Sequence, residues 1–341
     1  MEVFSINLSD LKFVFLLGTL SFVIAMLWTP IFTDFLFKNR LGKKIRQTAF
    51  DDKKAPIFYS LHKGKENTPT MGGLLIWITA GVITLLLNLD RAGTWLPLFV
   101  LIATGLIGAA DDLMNIYGIG PHNGGMQFRV RFLLYTIVAV VGAWWFYSKL
   151  GFSFFHIPGY GNVDLGIWYM PFFVAVLVWT AFSANQTDGL DGLAGGVMAI
   201  AFSAFAFIAL FQGKVELAAL CLTIVGSTLA FLWFNIYPAR FFMGDTGIMP
   251  LGMTLAVIAF LTNSVFVLPV IGIILMIEGV STILQIGSKK LRGGKKIFRS
   301  APIHHHFEAL GWPETKVTER FWIISAIGSV VGLVIALVGK G

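Results

Sequence analysis

Five short segments of this sequence gather carboxylates, amides, imidazoles and glycines at spacings suited to phosphate and metal chemistry. Asp111-Asp112, in Gly108-Ala-Ala-Asp-Asp-Leu-Met-Asn115, sets two carboxylates side by side. Asn185-Gln-Thr-Asp188-Gly189-Leu190-Asp191-Gly192 holds an amide, a hydroxyl and two carboxylates within a few residues. If that segment is helical, Asp188 and Asp191 share a face; its glycines permit close approach of backbone to a ligand, and the plainer alternative is a glycine-rich turn capped by Asp. Phe241-Phe242-Met-Gly-Asp245-Thr-Gly247, with Asn235 and Arg240 upstream, opens an apolar run. There Asp245 is either a helix N-cap or a carboxylate presented to Mg²⁺ beside N–H groups that face a phosphate. His304-His305-His306 holds half of the six histidines; three consecutive rings cannot converge on one centre, so at most two touch a ligand, and contact with phosphate or base fits neutral pH better than zinc. His62-Lys-Gly-Lys65-Glu-Asn-Thr68-Pro-Thr-Met-Gly-Gly73 reads either as a basic loop leading into a proline-started helix or as a lysine that reaches a phosphate.

The elements that position these residues are membrane spans. The chain has 341 residues, 56% hydrophobic and 13% charged, whereas a soluble domain carries about 25% charged residues. Apolar runs long enough to cross a bilayer core of about 30 Å recur throughout. They predict an all-α polytopic membrane protein with ten transmembrane helices near residues 11–33, 71–89, 95–111, 131–148, 167–184, 193–211, 215–234, 247–262, 264–287 and 321–338. Val215 to Phe234 is apolar on every face, which excludes the two-residue alternation of an outer-membrane barrel. An even count puts both termini on one side, and 20 of the 25 Lys and Arg then fall on the other. By the positive-inside rule that basic side is cytoplasmic and both termini are extracytoplasmic.

No cleavable signal peptide is evident near Glu2 and Asp10. The single cysteine, Cys221, excludes an internal disulfide and a thiolate metal site. Alternating aromatics around Pro158-Gly159 and Gly161-Asn162 predict a small outer β-hairpin within 151–165. No repeat or linker divides residues 1–341, which read as one domain. The net charge of +7 follows from the topological bias; without aromatic platforms between the basic residues, nucleic acid is not an expected partner. Acids are costly at membrane depth, yet Asp111, Asp112, Asp188, Asp191, Asp245 and the deeper Glu278 fall at or beside the cytoplasmic ends of spans. Paired acids near a helix C-terminus oppose the helix dipole and call for a compensating cation.

Taken together, Thr68-Pro-Thr-Met-Gly-Gly, Asp111-Asp112, Asn185-x-Thr-Asp-Gly-Leu-Asp-Gly-Leu-Ala, Phe234-Asn-x-x-Pro-Ala followed by Phe-Met-Gly-Asp-Thr-Gly, and Pro302-Ile-His-His-His-Phe-Glu resemble the phospho-N-acetylmuramoyl-pentapeptide transferase (MraY) family, within the polyprenyl-phosphate sugar-1-phosphate transferase superfamily. The resemblance implies ten spans with both ends outside, a multi-pass protein of the bacterial cytoplasmic membrane with its site on the cytoplasmic face, and a homodimer. It implies Mg²⁺-dependent transfer of phospho-MurNAc-pentapeptide from UDP-MurNAc-pentapeptide to undecaprenyl phosphate, giving lipid I and UMP for peptidoglycan. By position, Asp245 resembles the Mg²⁺ ligand, and Asp111, with Asp112 beside it, the acid proposed to deprotonate the lipid phosphate. Lys65, Asn185, Asp188 to Asp191, Asn235, Phe242 and His305 match positions around the uridine and diphosphate, His304 matches a further site residue, and Glu278 is read as organising an interrupted ninth helix.

The chain departs from the family pattern where a lysine usually follows the first Asp of the pair by four residues: Asn115 stands there, and 112–128 holds no Lys or Arg. Arg129 or Arg131 is the expected substitute. Gln186 and Asn67 replace a usual leucine and glycine. The nearest competing reading is a sibling transferase using UDP-GlcNAc, against which the His304 to Glu308 segment argues. An intramembrane aromatic prenyltransferase needs paired-Asp spacings that this chain does not reproduce. A transporter would place its acids at mid-membrane in repeated halves, and only Glu278 is deep.

Overall fold

The computed structural model describes residues 7–42, 65, 68–91, 93–121 and 124–339. Most of the first basic loop, and the departure at Asn67, lie outside the described residues. The chain is a helical bundle: α1 (Leu8–Lys38), α2 (Gly73–Leu87), α3 (Trp95–Tyr117), α4 (Phe128–Ser148), α5 (Tyr169–Thr187), α6 (Leu193–Phe211), α7 (Val215–Asn235), α8 (Asp245–Leu261), α9 (Leu268–Ile271), α10 (Ile273–Leu291), α11 (Ile303–Ala309) and α12 (Glu314–Val338). In hydrocarbon a helix satisfies its own backbone polar groups. Seven of the described segments are long and apolar enough to cross a membrane. An eighth candidate is a broken pair, Val265–Ile271 and Ile273–Leu291, bent by 83° at Gly272, and α2 and α8 are shorter apolar helices. This is a multi-pass membrane protein, and each of the ten expected stretches coincides with one of these helices or with the broken pair.

The expected hairpin is present as β1 (Phe154–Ile157) and β2 (Gly161–Asp164), antiparallel, with Phe154 opposite Asp164 and Ile157 opposite Gly161. Asn263, after α8, accepts the His156 N–H at 3.0 Å and ties the hairpin to the bundle.

At the centre stands α8, every residue of which is buried. It packs against α2, α3, α5 and α6. Glycines make these contacts close: a Cβ on Gly73 would lie 2.1 Å from the Cα of Gly247, and one on Gly108 would lie 2.3 Å from the Asp245 carbonyl oxygen. Backbone thus meets backbone where α2 and α3 touch the first turn of α8. Exposed apolar side chains on α1, α4 and α12, such as Leu27, Ile31, Leu133, Ile137, Ile327 and Val330, form the outer face, as expected for helices bordered by lipid tails.

Candidate functional site

The close approach at Gly108 places the end of α3 over the start of α8. Asp111 and Asp112, almost fully buried, therefore meet Asp245 and Thr246. Asp112 Oδ2 accepts the Thr246 N–H at 3.0 Å and the Thr246 hydroxyl at 2.7 Å. Asp111 Oδ1 accepts the Met126 N–H at 2.6 Å, and its Oδ2 lies 2.9 Å from Arg131 Nη1. The same Nη1 contacts Asp245 Oδ2, while Asp245 Oδ1 accepts from Asn185 Nδ2 at 2.8 Å. Two buried carboxylates repel each other unless a cation or donors offset them; here one guanidinium nitrogen serves both. The compensation expected for the Asp pair comes from Arg131, from backbone N–H groups and from the N-terminal end of α8. Asp245 is not an N-cap: Gly244 is, with φ +73°. A Cβ there would sit 2.4 Å from Asp112 Oδ2, so only glycine lets the turn close over the Asp pair.

Of the two candidate arginines, Arg129 is exposed and Arg131 joins the acids. Asn115, where a lysine was expected, donates to the Asp111 carbonyl at 3.0 Å.

The turn between α5 and α6 is not helical, so Asp188 and Asp191 do not share a helix face. Instead it reaches three places. Asn185 binds Asp245, Gly189 lies against His304, whose Nε2 a Cβ would approach to 2.1 Å, and Asp191 pairs with Lys65 at 2.7 Å. Asp188 is half-buried at the end of α5 and Leu190 is buried behind the turn. Lys65 also contacts Glu314, at the start of α12, which accepts the Asp191 N–H at 2.7 Å. The Lys65 ammonium stands 5.8 Å from the Tyr237 ring and 6.0 Å from the Phe242 ring. Asn235 holds the turn from behind, accepting the Gly192 N–H at 3.0 Å and donating to the Phe241 carbonyl at 2.9 Å. Pro69 does not start a helix; its segment runs beside the Asp245 turn, with Phe242 N–H on the Pro69 carbonyl at 2.8 Å and Gly72 N–H on the Phe242 carbonyl at 2.8 Å.

The histidines divide as their spacing requires. His304 Nδ1 meets Glu278 at 2.9 Å, His305 Nδ1 meets Glu308 at 2.6 Å, and His306 turns away to accept the Arg299 N–H. The helix break is at Gly272, so Glu278 does not organise it; it lies beyond the bend, buried with His304. Ser281 Oγ, which accepts the Ile303 N–H, and Gln285, which accepts the Ile297 and Phe298 N–H groups, fasten the histidine loop to α10. Removing one partner of a buried hydrogen bond leaves the other unsatisfied, at a cost of about 2 kcal/mol. Glu278→Leu should therefore lower stability by about that much, read from thermal melting, while Glu308→Gln, which keeps an acceptor for His305, should change it far less.

Glu314 and Thr246 were not singled out from the sequence. Glu314 follows Pro313 at the start of a helix, where an acid reads as an ordinary dipole partner, and Thr246 reads as turn chemistry. Their roles depend on contacts with residues more than 100 positions away.

Beside the Asp cluster opens a cavity of about 760 Å³ between α4 and α5. Phe132, Val140, Ala175, Val178 and Phe182 are among its apolar walls, and Arg131 and Asn185 line it too. An apolar trough thus runs to the side chains that hold Asp245.

The family described as Glycosyl transferase family 4 matches residues 94–263, and the phospho-N-acetylmuramoyl-pentapeptide-transferase signature matches residues 65–76. Those stretches contain the Asp pair, the 185–191 turn, Asp245 and Lys65. Among similar proteins, the phospho-N-acetylmuramoyl-pentapeptide-transferase of Chloroflexus aggregans is 37% identical over 98% of this chain and 92% of its own length. Proteins of the same name from Geobacillus sp. (strain WCH70) and Listeria monocytogenes are each 38% identical over 93% of this chain, covering 95% and 96% of their own lengths. Similarity that spans nearly the whole chain, and a signature that falls on the segment zipped to the Asp245 turn, establish that this chain belongs to the phospho-N-acetylmuramoyl-pentapeptide-transferase family.

Proposed function

We propose that the protein transfers phospho-MurNAc-pentapeptide from UDP-MurNAc-pentapeptide to undecaprenyl phosphate, releasing UMP and leaving lipid I in the membrane. The observation that carries this reading is the apolar trough ending on Arg131 and Asn185 beside Asp245. A long prenyl tail fits such a trough, and its phosphate would then stand at the acids. The soluble donor meets the other arm, where Lys65, Phe242 and the 185–191 turn offer a cation, an aromatic face and backbone. In this reading the chain crosses the inner membrane ten times, with both ends outside and the site on the cytoplasmic face, where most of its basic residues lie.

The bond chemistry follows from the products. An oxygen of the lipid phosphate attacks the sugar-bearing phosphorus, the bridging P–O bond of the diphosphate breaks, and its electrons leave on UMP. A lipid phosphate is largely ionised near neutral pH, so Asp111 has little proton to remove, and direct in-line attack needs no covalent enzyme intermediate. Asn185 holds Asp245 in register, and Lys65 offsets charge on the donor. Phosphoryl transfer needs mostly such positioning and charge stabilisation.

Mg²⁺ suits the residues present. Among the described residues no three His, Cys, Asp or Glu side chains form a ready cage. Mg²⁺, however, is commonly held by one or two carboxylates together with substrate phosphates and water, and Asp245 with Asp111 supplies that hard-oxygen pair around a point that already holds positive charge. When bound, the ion would neutralise charge on the diphosphate.

UMP release by purified protein in detergent, with undecaprenyl phosphate and either UDP-MurNAc-pentapeptide or UDP-GlcNAc, with and without Mg²⁺, tests the reading. Release from the muramoyl donor alone supports it; release from UDP-GlcNAc alone moves the chain to the sibling activity. Ala175→Trp, which fills the trough, should raise KM for undecaprenyl phosphate about tenfold and leave KM for the nucleotide donor unchanged, since one large side chain displaces tail contacts worth about 1.5 kcal/mol. Equal effects on both substrates would place the tail elsewhere.

A further inference from the structure

Arg131 occupies an unusual place. It sits in the first turn of α4, lines the apolar trough and is largely buried, with its side chain 15% exposed. Its contacts with Asp111 and Asp245 both use Nη1, so Nη2 and Nε stand outside that pair. The two carboxylates do not depend on it for their position. Asp111 is also held by the Met126 N–H, and Asp245 by Asn185. The guanidinium can therefore leave, on a long flexible stem, without releasing the acids. A second cation cannot share their inner oxygens while it stays, because like charges at contact distance repel in a site shielded from water.

We propose that Arg131 is an exchangeable counter-ion. It neutralises Asp111 and Asp245 until a divalent cation takes them, and it then turns to the anionic headgroup of a phosphorylated lipid whose tail lies in the trough. The inference rests on the reading above, that a divalent cation binds at Asp245 and an acceptor lipid in the trough. It assigns to one arginine two successive partners of the same charge, and it supplies the cation that the Lys-free stretch 112–128 lacks. A guanidinium suits both, since its planar fork matches carboxylate and phosphate alike.

The test is binding rather than turnover. Mn²⁺ serves as the probe, its affinity read by electron paramagnetic resonance on the purified full chain in detergent, without lipid substrate. Arg131→Gln removes the competing cation and should tighten Mn²⁺ binding about tenfold, within the usual range of coupling between two ligands. Arg129→Gln, which removes an exposed charge from the same helix, should leave it unchanged, and Arg131→Lys should stay within about threefold of the parent. At saturating Mn²⁺, Arg131→Gln should also bind undecaprenyl phosphate about tenfold more weakly while binding undecaprenol as the parent does.

Unchanged or weaker Mn²⁺ binding in folded Arg131→Gln overturns the proposal, as does unchanged affinity for undecaprenyl phosphate. If the glutamine variant does not fold, Arg131→Lys decides: a folded lysine variant that no longer prefers undecaprenyl phosphate over undecaprenol to within threefold of the parent overturns it. Asp245→Asn keeps the two readings apart. Failure of the parent to bind Mn²⁺ more tightly than Asp245→Asn would defeat the cation reading itself, whereas Asp245-dependent Mn²⁺ binding that ignores Arg131 would defeat only the counter-ion.

Discussion

Asp245→Asn should lower kcat for UMP release about a thousandfold, the upper end of what removal of one charge-stabilising group costs. The substitution keeps the shape of the side chain and its capacity to accept from Asn185 Nδ2, 2.8 Å away, but removes the charge that meets Arg131 and, in the proposed reaction, a divalent cation. Because Arg131 retains Asp111, the variant should fold, with a melting temperature within a few degrees of the parent. Its KM for the nucleotide donor should change little, since Lys65 and Asp191 are untouched. Measured together, turnover, melting temperature and KM separate a lost chemical group from a lost fold. Turnover within tenfold of the parent would remove Asp245 from the chemistry.

Gly73→Val should be among the most damaging single changes outside the acids. Its side chain would begin 2.1 Å from the Gly247 Cα and 2.3 Å from the Gly247 nitrogen, and backbone atoms cannot rotate away. Overpacking of this kind costs about 3 kcal/mol even where neighbours can shift. Here the shift would part α2 from α8 and strain the hydrogen bonds from Gly72 and Gly73 to Phe242 and Met243, at 2.8 and 3.0 Å. The expected result is loss of a monodisperse peak in size-exclusion chromatography. A comparable change at Gly287, where a Cβ would meet nothing within 4 Å, should leave the peak intact. A normal peak and normal turnover for Gly73→Val would mean that the two backbones are not in contact.

The helices were legible because lipid imposes a simple rule, in which any long apolar run must satisfy its own backbone. The motifs were legible because acids beside apolar runs are costly and need a reason. What the sequence hid were partners. Asp245 read equally as a cap, and only the Gly244 geometry removes that reading. Thr68 to Gly73 read as the opening of a helix, whereas Pro69 pairs edge to edge with Phe242, a contact between chain segments over 170 positions apart. Glu278 was visible as a buried acid, but its partner His304 lies past the rest of α10 and the whole 292–302 loop. Asp188 and Asp191 share a face only if their segment is helical; the segment is the glycine-rich turn that was the other possibility, and it spreads its residues over three neighbouring clusters. Local pattern predicts elements well, and it is silent on contacts that only packing creates.

The enclosure of α8 bears on how the molecule is made. A helix buried along its whole length has no face on which to partition into lipid, so its residence in the membrane is decided by its neighbours. The four helices packed most closely on it, α2, α3, α5 and α6, precede it in the chain and leave the ribosome earlier. Synthesis in that order delivers the wall before the pillar: Asp111, Asp112, Arg131 and Asn185 are all made before the Gly-Asp-Thr-Gly turn, so Asp245 is the last of its own contact group to leave the ribosome.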